Sequence, residues 1–322
     1  MTEEEEEETV AQQTPLLRAK KLEEYFGFSE IYLKYEGNNQ TGTHKDRIAR
    51  LHVIRAVSLG HNTITTSTCG NYGVALAYYS RLYGLKPVIF LPESYKHQRL
   101  SEMFRLGADV VMVKGKYEDA TERSRLASTD KGWYDANPGP KNREINYSAY
   151  GQISAEIVDQ LGESPLAITV PMGNGTTLAG LYRGFRELEK GDGLNGVPKI
   201  VGASTVNGNP ILRSFLEGRN CVTRITPSSI RETTVNEPLV AYESYDGDDA
   251  LRAIRETQGY AFPVTDQKML DFRRLLKARE GIDALPASTS ALEALRLLVR
   301  MEGPHSKYVA ILTGGRPYWI KR

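Results

Sequence analysis

The strongest constraint on the fold is an alternation of short strand-like runs with longer helical patterns, which begins at residue 30. The apolar run "EIYLKYE" (30–36) is followed by a helix-like segment at 45–59, and "KPVIFLP" (86–92) is followed by another at 101–107. A further helix-like segment lies between them at 71–84. Further strands are predicted at 62–68, 108–115, 165–171, 198–205 and 307–315, and a further helix at 176–191. Strands that alternate with helices in this way predict an α/β fold with mainly parallel sheets covered by helices.

The chain carries no Pro- or Ser-rich linker that would divide it into two halves. We therefore expect two interleaved domains, each with its own sheet. The prediction is an acidic flexible tail at 1–13, a smaller α/β domain at 50–146, and a larger α/β domain formed by 14–49 and 147–322. The 322 residues are 40% hydrophobic, which is ample apolar material for two such cores.

Charge and cysteine content argue against several classes of function. The formal net charge is +1, and no apolar run approaches the roughly 20 residues that cross a bilayer. We expect neither a nucleic-acid partner nor a membrane partner. Two cysteines cannot form a disulfide framework, which favours a cytoplasmic location. The five histidines show no zinc-type spacing with these cysteines, so no metal site is predicted.

A glycine-rich loop, "PMGNGTTLAG", follows the apolar strand "LAITV" and leads into a helix. Gly173 and Gly175 let the backbone approach a ligand closely, and Thr176 and Thr177 add hydroxyl groups where the helix begins. Free N–H groups and the helix dipole at such a point favour a phosphate. The loop fits neither the Walker pattern nor G-x-G-x-x-G, because Leu178 stands at the sixth position. An ordinary tight turn is the alternative.

A second strand-to-helix loop, "TTSTCGNYG", is small and polar. Ser67, Thr68, the backbone around Gly70, and Asn71 could bind another anion, such as a substrate carboxylate. Ser, Thr and Asn also favour helix N-termini, so a plain capping loop is the alternative. Cys69 could be a nucleophile, but without a recognisable histidine partner a small buried cysteine is the better interpretation.

Lys45 stands in a third loop, "NNQTGTHK", at the carboxyl end of a predicted strand and the start of a helix. A lysine amine held away from water at such a place could act as a nucleophile or form a Schiff base. An ordinary solvent-exposed lysine is the alternative. The apolar run "VAILTGG" ends on Thr313, Gly314 and Gly315, where backbone can approach a flat ligand.

Together these four elements fit the requirements of pyridoxal phosphate. This cofactor needs an amine for its aldehyde, donors for its phosphate, a partner for its ring nitrogen and space for an amino-acid carboxylate. Spacing alone does not bring the loops together, but their joint occurrence favours this interpretation over four unrelated turns.

The motif order "KYEGNNQTGTHKDR", "STCGNYG", "VPMGNGTT", "LPASTSALEAL" and "LTGG" resembles that of the fold-type II pyridoxal-phosphate enzymes. This superfamily includes threonine synthases, serine/threonine dehydratases, cysteine synthases and the tryptophan synthase β chain. The resemblance extends from "TPL" (14–16) to "TGGRP" (313–317), and it is greatest to the threonine synthases.

The resemblance implies a role for each residue of these loops. Lys45 would hold the cofactor as a Schiff base and serve as the catalytic base. Asn71 would bond the cofactor's phenolic oxygen. Thr313, in the larger, cofactor-binding domain, would face its ring nitrogen. The cofactor phosphate would be bound by Gly173, Asn174, Gly175, Thr176 and Thr177. The substrate carboxylate would be bound by Ser67, Thr68, Cys69 and Gly70.

The function implied is elimination or replacement at Cβ or Cγ of a small amino-acid substrate, in a homodimer. A threonine-synthase-like lyase, which converts O-phosphohomoserine to threonine and phosphate, is the leading hypothesis. A serine/threonine dehydratase or a cysteine-synthase-type β-replacement enzyme is the second. A non-catalytic amino-acid-binding protein is a third, although such a protein would not require Lys45. The failed G-x-G-x-x-G pattern disfavours a nicotinamide dehydrogenase.

Several positions depart from the threonine synthase pattern. His44 precedes the lysine where Phe or Ala is usual, Gln40 replaces a proline, and Leu285 replaces a glutamate. The stretch "INYSAYGQISAEI" (145–157) lacks the arginine and lysine that recognise a substrate phosphate in that group. Arg143 or Lys141 could compensate from nearby.

Overall fold

The computed structural model describes residues 13–28, 30–68, 70–93, 99–191, 194, 196–304 and 306–315. Ten strands lie in these ranges. They are β1 (Leu16–Arg18), β2 (Ile31–Tyr35), β3 (Thr63–Ser67), β4 (Lys86–Pro92), β5 (Asp109–Val113), β6 (Tyr134–Asp135), β7 (Ala167–Pro171), β8 (Lys199–Thr205), β9 (Ala261–Val264) and β10 (Tyr308–Leu312).

The strands form two sheets. The larger sheet has the order β1-β2-β10-β7-β8-β9 and is parallel except for β1, which runs antiparallel to β2. The smaller sheet has the order β5-β4-β3-β6 and is parallel throughout. Because parallel neighbours need crossover connections, helices separate most of these strands along the chain.

The described part of the chain forms eleven α-helices that cover the sheets. They are α1 (Lys20–Phe26), α2 (Lys45–Ser58), α3 (Asn71–Leu82), α4 (Leu100–Arg105), α5 (Tyr117–Lys131), α6 (Arg143–Leu161), α7 (Thr176–Lys190), α8 (Pro210–Leu216), α9 (Gly247–Glu256), α10 (Asp266–Glu280) and α11 (Ser290–Glu302). None of them is both long and apolar enough to cross a membrane.

The central strands of the larger sheet are buried along their whole length. Every residue of β7 and of β10 is buried, as expected where helices cover both faces of a parallel sheet. One apolar cluster joins the smaller sheet and its helices to α6, α7 and the inner face of the larger sheet. Another packs α1, α10 and α11 against the opposite face. Both faces of the larger sheet are thereby covered by apolar packing.

Helices α6 and α7 cross unusually closely because glycines meet at the contact. A Cβ atom added to Gly184 would lie 2.6 Å from the carbonyl oxygen of Gly151. One added to Gly180 would lie 2.7 Å from Cβ of Tyr150. These glycines therefore fix how α6, which carries Tyr150, sits against α7, which begins at the glycine-rich loop.

The predicted α/β class with mainly parallel sheets is confirmed. The helix predicted at 45–59 begins at Lys45 and ends at Ser58. The larger sheet draws its strands from 16–35 and 167–312 and the smaller from 63–135, while the division into two domains stays a prediction. The predicted tail at 1–13 lies outside the described residues except for Gln13.

Candidate active site

The segments that follow β2, β3, β7 and β10 meet at one cleft of about 1080 Å³. Ligands of open parallel sheets bind outside the carboxyl ends of the strands, so the position is the one expected for this fold. Of the predicted site residues, those that the structure describes all line this cleft: Lys45, Ser67, Thr68, Gly70, Asn71, Gly173, Asn174, Gly175, Thr176, Thr177 and Thr313. Cys69 lies outside the described residues.

Lys45 is the first residue of α2, and its side chain lines the cleft. Its Nζ donates a hydrogen bond to the hydroxyl of Tyr150 at 3.1 Å and lies 5.5 Å from the centre of that ring. Tyr150 is fully buried. The amine therefore has a buried side chain of the protein as its hydrogen-bond partner.

His44 packs beside the same tyrosine, with its ring centre 5.3 Å from that of Tyr150. Its Nδ1 is 2.9 Å from the carbonyl oxygen of Thr313, and the backbone N–H of His44 donates to the same oxygen. Burial and the neighbouring Lys45 hold the pKa of His44 well below its usual value, so the ring is neutral. Because a carbonyl only accepts, Nδ1 carries the proton and Nε2 keeps its lone pair.

Asp46 shapes the loop that precedes Lys45. This buried carboxylate accepts hydrogen bonds from the backbone N–H of Thr41 at 2.9 Å and from its hydroxyl at 2.7 Å. Burial raises the pKa of Asp46 to about 6, although the bonds from Thr41 oppose this shift. The motif "THKD" thus contributes both the amine and the side chain that fixes its loop.

The glycine-rich loop packs closely against its neighbours because two of its residues lack a side chain. A Cβ atom on Gly173 would lie 2.5 Å from the carbonyl oxygen of Pro238. Gly175 has φ +86, and a Cβ atom there would lie 2.7 Å from Cβ of Ala250. Helix α7 starts at the next residue, so its first N–H groups have no acceptor within the helix. The loop can therefore bind an anion with its backbone.

A buried carboxylate lies behind this loop, and sequence reasoning missed it. The hydroxyl of Thr176 donates to Asp246 at 2.6 Å, and the hydroxyl of Tyr147 lies 3.2 Å from the other carboxylate oxygen of Asp246 and 2.9 Å from Asp249. Burial raises the pKa of Asp246 above its usual value. The hydroxyl proton of Thr176 is thus engaged within the protein, which leaves its backbone N–H as the group available to a phosphate.

Asn174 completes the loop. Its carbonyl oxygen accepts hydrogen bonds from the hydroxyl of Ser244 at 2.8 Å and from the N–H of Asp246 at 3.3 Å. Its side-chain oxygen is buried without a hydrogen-bond partner among the described residues. An unpaired polar atom in such a position is unfavourable unless a ligand or water completes it. Because an amide oxygen only accepts, this atom needs a donor from a ligand or water, and an ionised phosphate supplies none, so the backbone N–H groups remain the phosphate donors of the loop.

The second predicted loop is both a helix cap and a cleft wall. The hydroxyl of Thr68 accepts from the N–H groups of Gly70 at 2.9 Å and Gly73 at 3.2 Å. The hydroxyl of Ser67 is 2.6 Å from that of Thr121. These side chains hold the loop in shape, so its backbone is what remains for a substrate carboxylate.

Thr313 at the end of β10 has a hydroxyl partner in the cleft wall. Its Oγ1 is 2.9 Å from Oγ of Ser288, a buried residue of the "PASTS" segment. The backbone around it is tied back to the Lys45 loop, because Thr43 pairs with Gly314. The strand end therefore presents a neutral hydroxyl group to the cleft.

The structure adds functional candidates that the sequence did not single out. Tyr150, Ser288, Asp246 and Arg99 contact the predicted residues directly. Ser288 lies in the quoted motif "LPASTSALEAL" and Tyr150 in the quoted stretch 145–157, but neither residue was singled out there. By contrast, neither Arg143 nor Lys141 lines the cleft: Nε of Arg143 is 3.1 Å from Asp249 Oδ2.

Comparison with known proteins identifies the family to which this chain belongs. A family model described as "Pyridoxal-phosphate dependent enzyme" matches residues 8–314. The chain belongs to this family, and pyridoxal phosphate is its cofactor.

Among individual relatives, the threonine synthases of Methanocaldococcus jannaschii and Methanosarcina acetivorans are each 33% identical to this chain. Each match covers 94% of this chain and 74% of the relative. A threonine synthase of Synechocystis is 30% identical over 94% of this chain and 75% of its own length. The sequence resemblance to fold-type II enzymes, and to threonine synthases within them, is thereby confirmed.

Solved structures share the fold at lower identity. Threonine deaminase isoform 2 from Solanum lycopersicum superposes with a TM-score of 0.78 at 18% identity, covering 98% of this chain and 90% of that chain. A fungal L-serine ammonia-lyase from Rhizomucor miehei gives 0.78 at 21% identity, with 94% of each chain covered. These likenesses establish the architecture alone.

Proposed function

We propose that this enzyme catalyses elimination or replacement at Cβ or Cγ of an amino acid, in the manner of a threonine synthase. One observation carries the proposal: the amine of Lys45 opens onto the same cleft as the glycine-rich loop at the start of α7. The relatives of highest identity named above are threonine synthases, which supports this member of the reaction class.

The residues of the cleft fit the cofactor. The backbone of 173–177 would bind its phosphate, Lys45 would bind its aldehyde carbon, and the Thr313–Ser288 hydroxyl pair would meet its ring nitrogen. When bound, pyridoxal phosphate supplies a ring that accepts negative charge from the substrate's α-carbon. A neutral hydroxyl at the nitrogen favours elimination and replacement over transamination.

The protein's own groups supply the proton transfers. Lys45, once free, is the base that removes the α-proton, and Tyr150 holds its amine at the edge of the cleft. His44, with Nδ1 fixed on Thr313, offers Nε2 as an acceptor beside them. The backbone of 68–71 would orient the substrate carboxylate.

A dehydratase or β-replacement enzyme that acts on a serine-type substrate is the second candidate, and one feature favours it. The two arginines among the described cleft residues are both paired, Arg99 with Glu102 at 2.8 Å and Arg273 with Asp283 at 2.9 Å. Leu285 also makes part of the wall apolar. In the described part of the cleft, a phosphorylated side chain therefore meets no unpaired arginine.

A substrate panel separates these functions. The protein loaded with pyridoxal phosphate is given O-phosphohomoserine, serine and threonine in separate assays. Phosphate release with threonine formation is expected for the first function, and pyruvate or 2-oxobutyrate for a dehydratase. No turnover of any substrate, together with a visible spectrum that no amino acid changes, would contradict both and favour a non-catalytic binding protein.

Two further proposals concern cellular location and oligomeric state. The low cysteine content supports a location in a reducing compartment such as the cytoplasm. A homodimer stays a prediction from the family resemblance.

A further inference from the structure

Arg99 joins three segments of the cleft wall. It immediately precedes α4, and its guanidinium donates from Nη1 to Asn71 Oδ1 at 3.0 Å and from Nη2 to the carbonyl oxygen of Thr41 at 2.9 Å. It also donates hydrogen bonds to the carboxylate of Glu102 from Nε at 3.0 Å and from Nη2 at 2.8 Å. One side chain therefore connects the Lys45 loop, the start of α3 and the start of α4.

This arrangement argues against Arg99 as a receptor for a substrate anion. A guanidinium has five N–H donors, and four of them are used by these partners. Its charge is matched by Glu102, whose pKa is lowered by the hydrogen bond from Arg99. An anion would therefore meet one remaining N–H group and a charge that Glu102 already neutralises.

The contact with Asn71 has a definite chemical consequence. A guanidinium can only donate, so the amide oxygen of Asn71 must face Arg99. The amide NH₂ group of Asn71, which lines the cleft, must then face away from Arg99. Arg99 thereby selects one of the two orientations that an Asn side chain could adopt.

The same contacts extend to the catalytic loop. Thr41 is held by Arg99 at its carbonyl oxygen and by Asp46 at its N–H and hydroxyl groups. Asp46 directly follows Lys45 in α2. A continuous set of hydrogen bonds thus links the amide of Asn71 to the helix turn that carries the lysine.

We propose that Arg99 is a positioning residue that holds the Asn71 amide with its NH₂ group toward a ligand oxygen in the cleft. Under the proposed function, that oxygen is the phenolic oxygen of pyridoxal phosphate, so the inference rests on that function for the identity of the acceptor. A purely structural role, in which Arg99 only anchors α4, would leave Asn71 unaffected.

The first test examines the Asn71 amide in the full chain without cofactor. The two NH₂ resonances of Asn71 are assigned by NMR through their loss in Asn71→Asp, and their heteronuclear NOE is measured. We expect a rigid amide in the wild type, and a mobile amide with shifted resonances in Arg99→Met. An amide that is equally rigid and unshifted in Arg99→Met would overturn the proposal, whatever the cofactor does.

The second test measures cofactor affinity. Arg99→Met and Asn71→Asp should each bind pyridoxal phosphate on the order of tenfold more weakly, because an oriented donor is lost. Asn71→Asp keeps an acceptor for Arg99 and so tests the donor even if Arg99→Met fails to fold. Unchanged affinity in Asn71→Asp would also overturn the proposal.

Arg296→Met is the matched control. Arg296 pairs with Glu293 three residues away at 2.7 Å, with 17% of its side chain exposed against 22% for Arg99, but it does not line the cleft. It should keep wild-type affinity. Failure of the wild type itself to bind the cofactor would refute the proposed function, while the amide measurement would still decide the role of Arg99.

Discussion

At the scale of single residues, the defining feature is the partner of the reactive amine. Lys45 meets Tyr150, which is buried on α6 because Gly180 and Gly184 let α7 approach. The amine therefore depends on a contact made between segments about a hundred residues apart.

The substitution Tyr150→Phe tests that contact. It keeps the ring that packs against His44 but removes the hydroxyl that accepts from Lys45. Turnover of the best substrate should fall on the order of tenfold, because the hydroxyl that positions the amine is lost. Steady-state kinetics, with thermal unfolding as a check on the fold, measure this.

Tyr182→Phe is the control, since that hydroxyl pairs with Glu256 away from the cleft. Full activity in Tyr150→Phe would mean that the hydroxyl only fills space.

At the same scale, the site residues that could be predicted from the sequence are those whose role is indicated by their immediate neighbours in the chain. Lys45, Gly173 and Gly175 sit at strand-to-helix turns, where residue type alone indicates close approach or reactivity. The engagement of the Thr176 hydroxyl could not be foreseen, because its acceptor, Asp246, is 70 residues away. Tyr150 and Arg99 were missed for the same reason.

At the scale of elements, the crossing of α6 and α7 positions the site. In Gly184→Ala the new methyl group would meet the Gly151 backbone, which cannot rotate away as a side chain could. We expect a loss of about 1–3 kcal/mol in the free energy of unfolding, measured by urea denaturation. Weaker binding of pyridoxal phosphate should accompany it, because α7 begins at the phosphate loop.

Gly191→Ala, at the end of the same helix, is the matched control. Its Cβ atom would lie 3.7 Å from the nearest backbone atoms, so stability should change by less than about 1 kcal/mol. Equal effects of the two substitutions would contradict a special role for the crossing.

A buried histidine joins α2 to the smaller sheet and to α6. His52 is fully buried between the hydroxyl of Tyr134 and the side-chain oxygen of Asn146, and burial lowers its pKa from 6.5 to about 4. The unfolded chain binds a proton more readily, so His52 contributes stability above pH 6.5 that is lost as the pH falls toward 4. The loss could reach about 3 kcal/mol.

Urea unfolding at pH 7 and pH 4.5 should therefore show a larger acid destabilisation in the wild type than in His52→Gln. Asp46, whose pKa is raised to about 6, acts in the opposite direction but equally in both proteins. The same pH dependence in the wild type and His52→Gln would contradict this account.

Element boundaries and types were predictable where strands were long and apolar, as in β4, β7 and β10. Three short strands were not. β1 has three residues and β6 has two, and β9 contains Pro263, which weakens its strand pattern. Their pairing is decided by the sheet they join and not by their own sequence.

At the scale of the whole molecule, a buried ionic cluster ties the start of the described chain to the site, and the hydroxyl of Thr14 donates to Glu36 in this cluster at 2.6 Å. Arg47 bonds Glu36 at 2.7 Å and Glu156 at 2.6 Å, and Lys34 lies 2.6 Å from Glu156. Arg47 and Lys34 hold the pKa of Glu36 to about 2 despite its burial. The cluster connects β2, α2 and α6, so it fixes the ends of the elements that carry Lys45 and Tyr150.

The central claim is that Lys45 is the residue that bonds the cofactor, and borohydride trapping tests it most directly. The protein loaded with pyridoxal phosphate is reduced, digested and mapped by mass spectrometry. The label should lie on Lys45 and be lost in Lys45→Ala, while Lys34, a fully buried lysine held by Glu156, should stay unlabelled. A stable label on another lysine, or none in the wild type, would contradict the account.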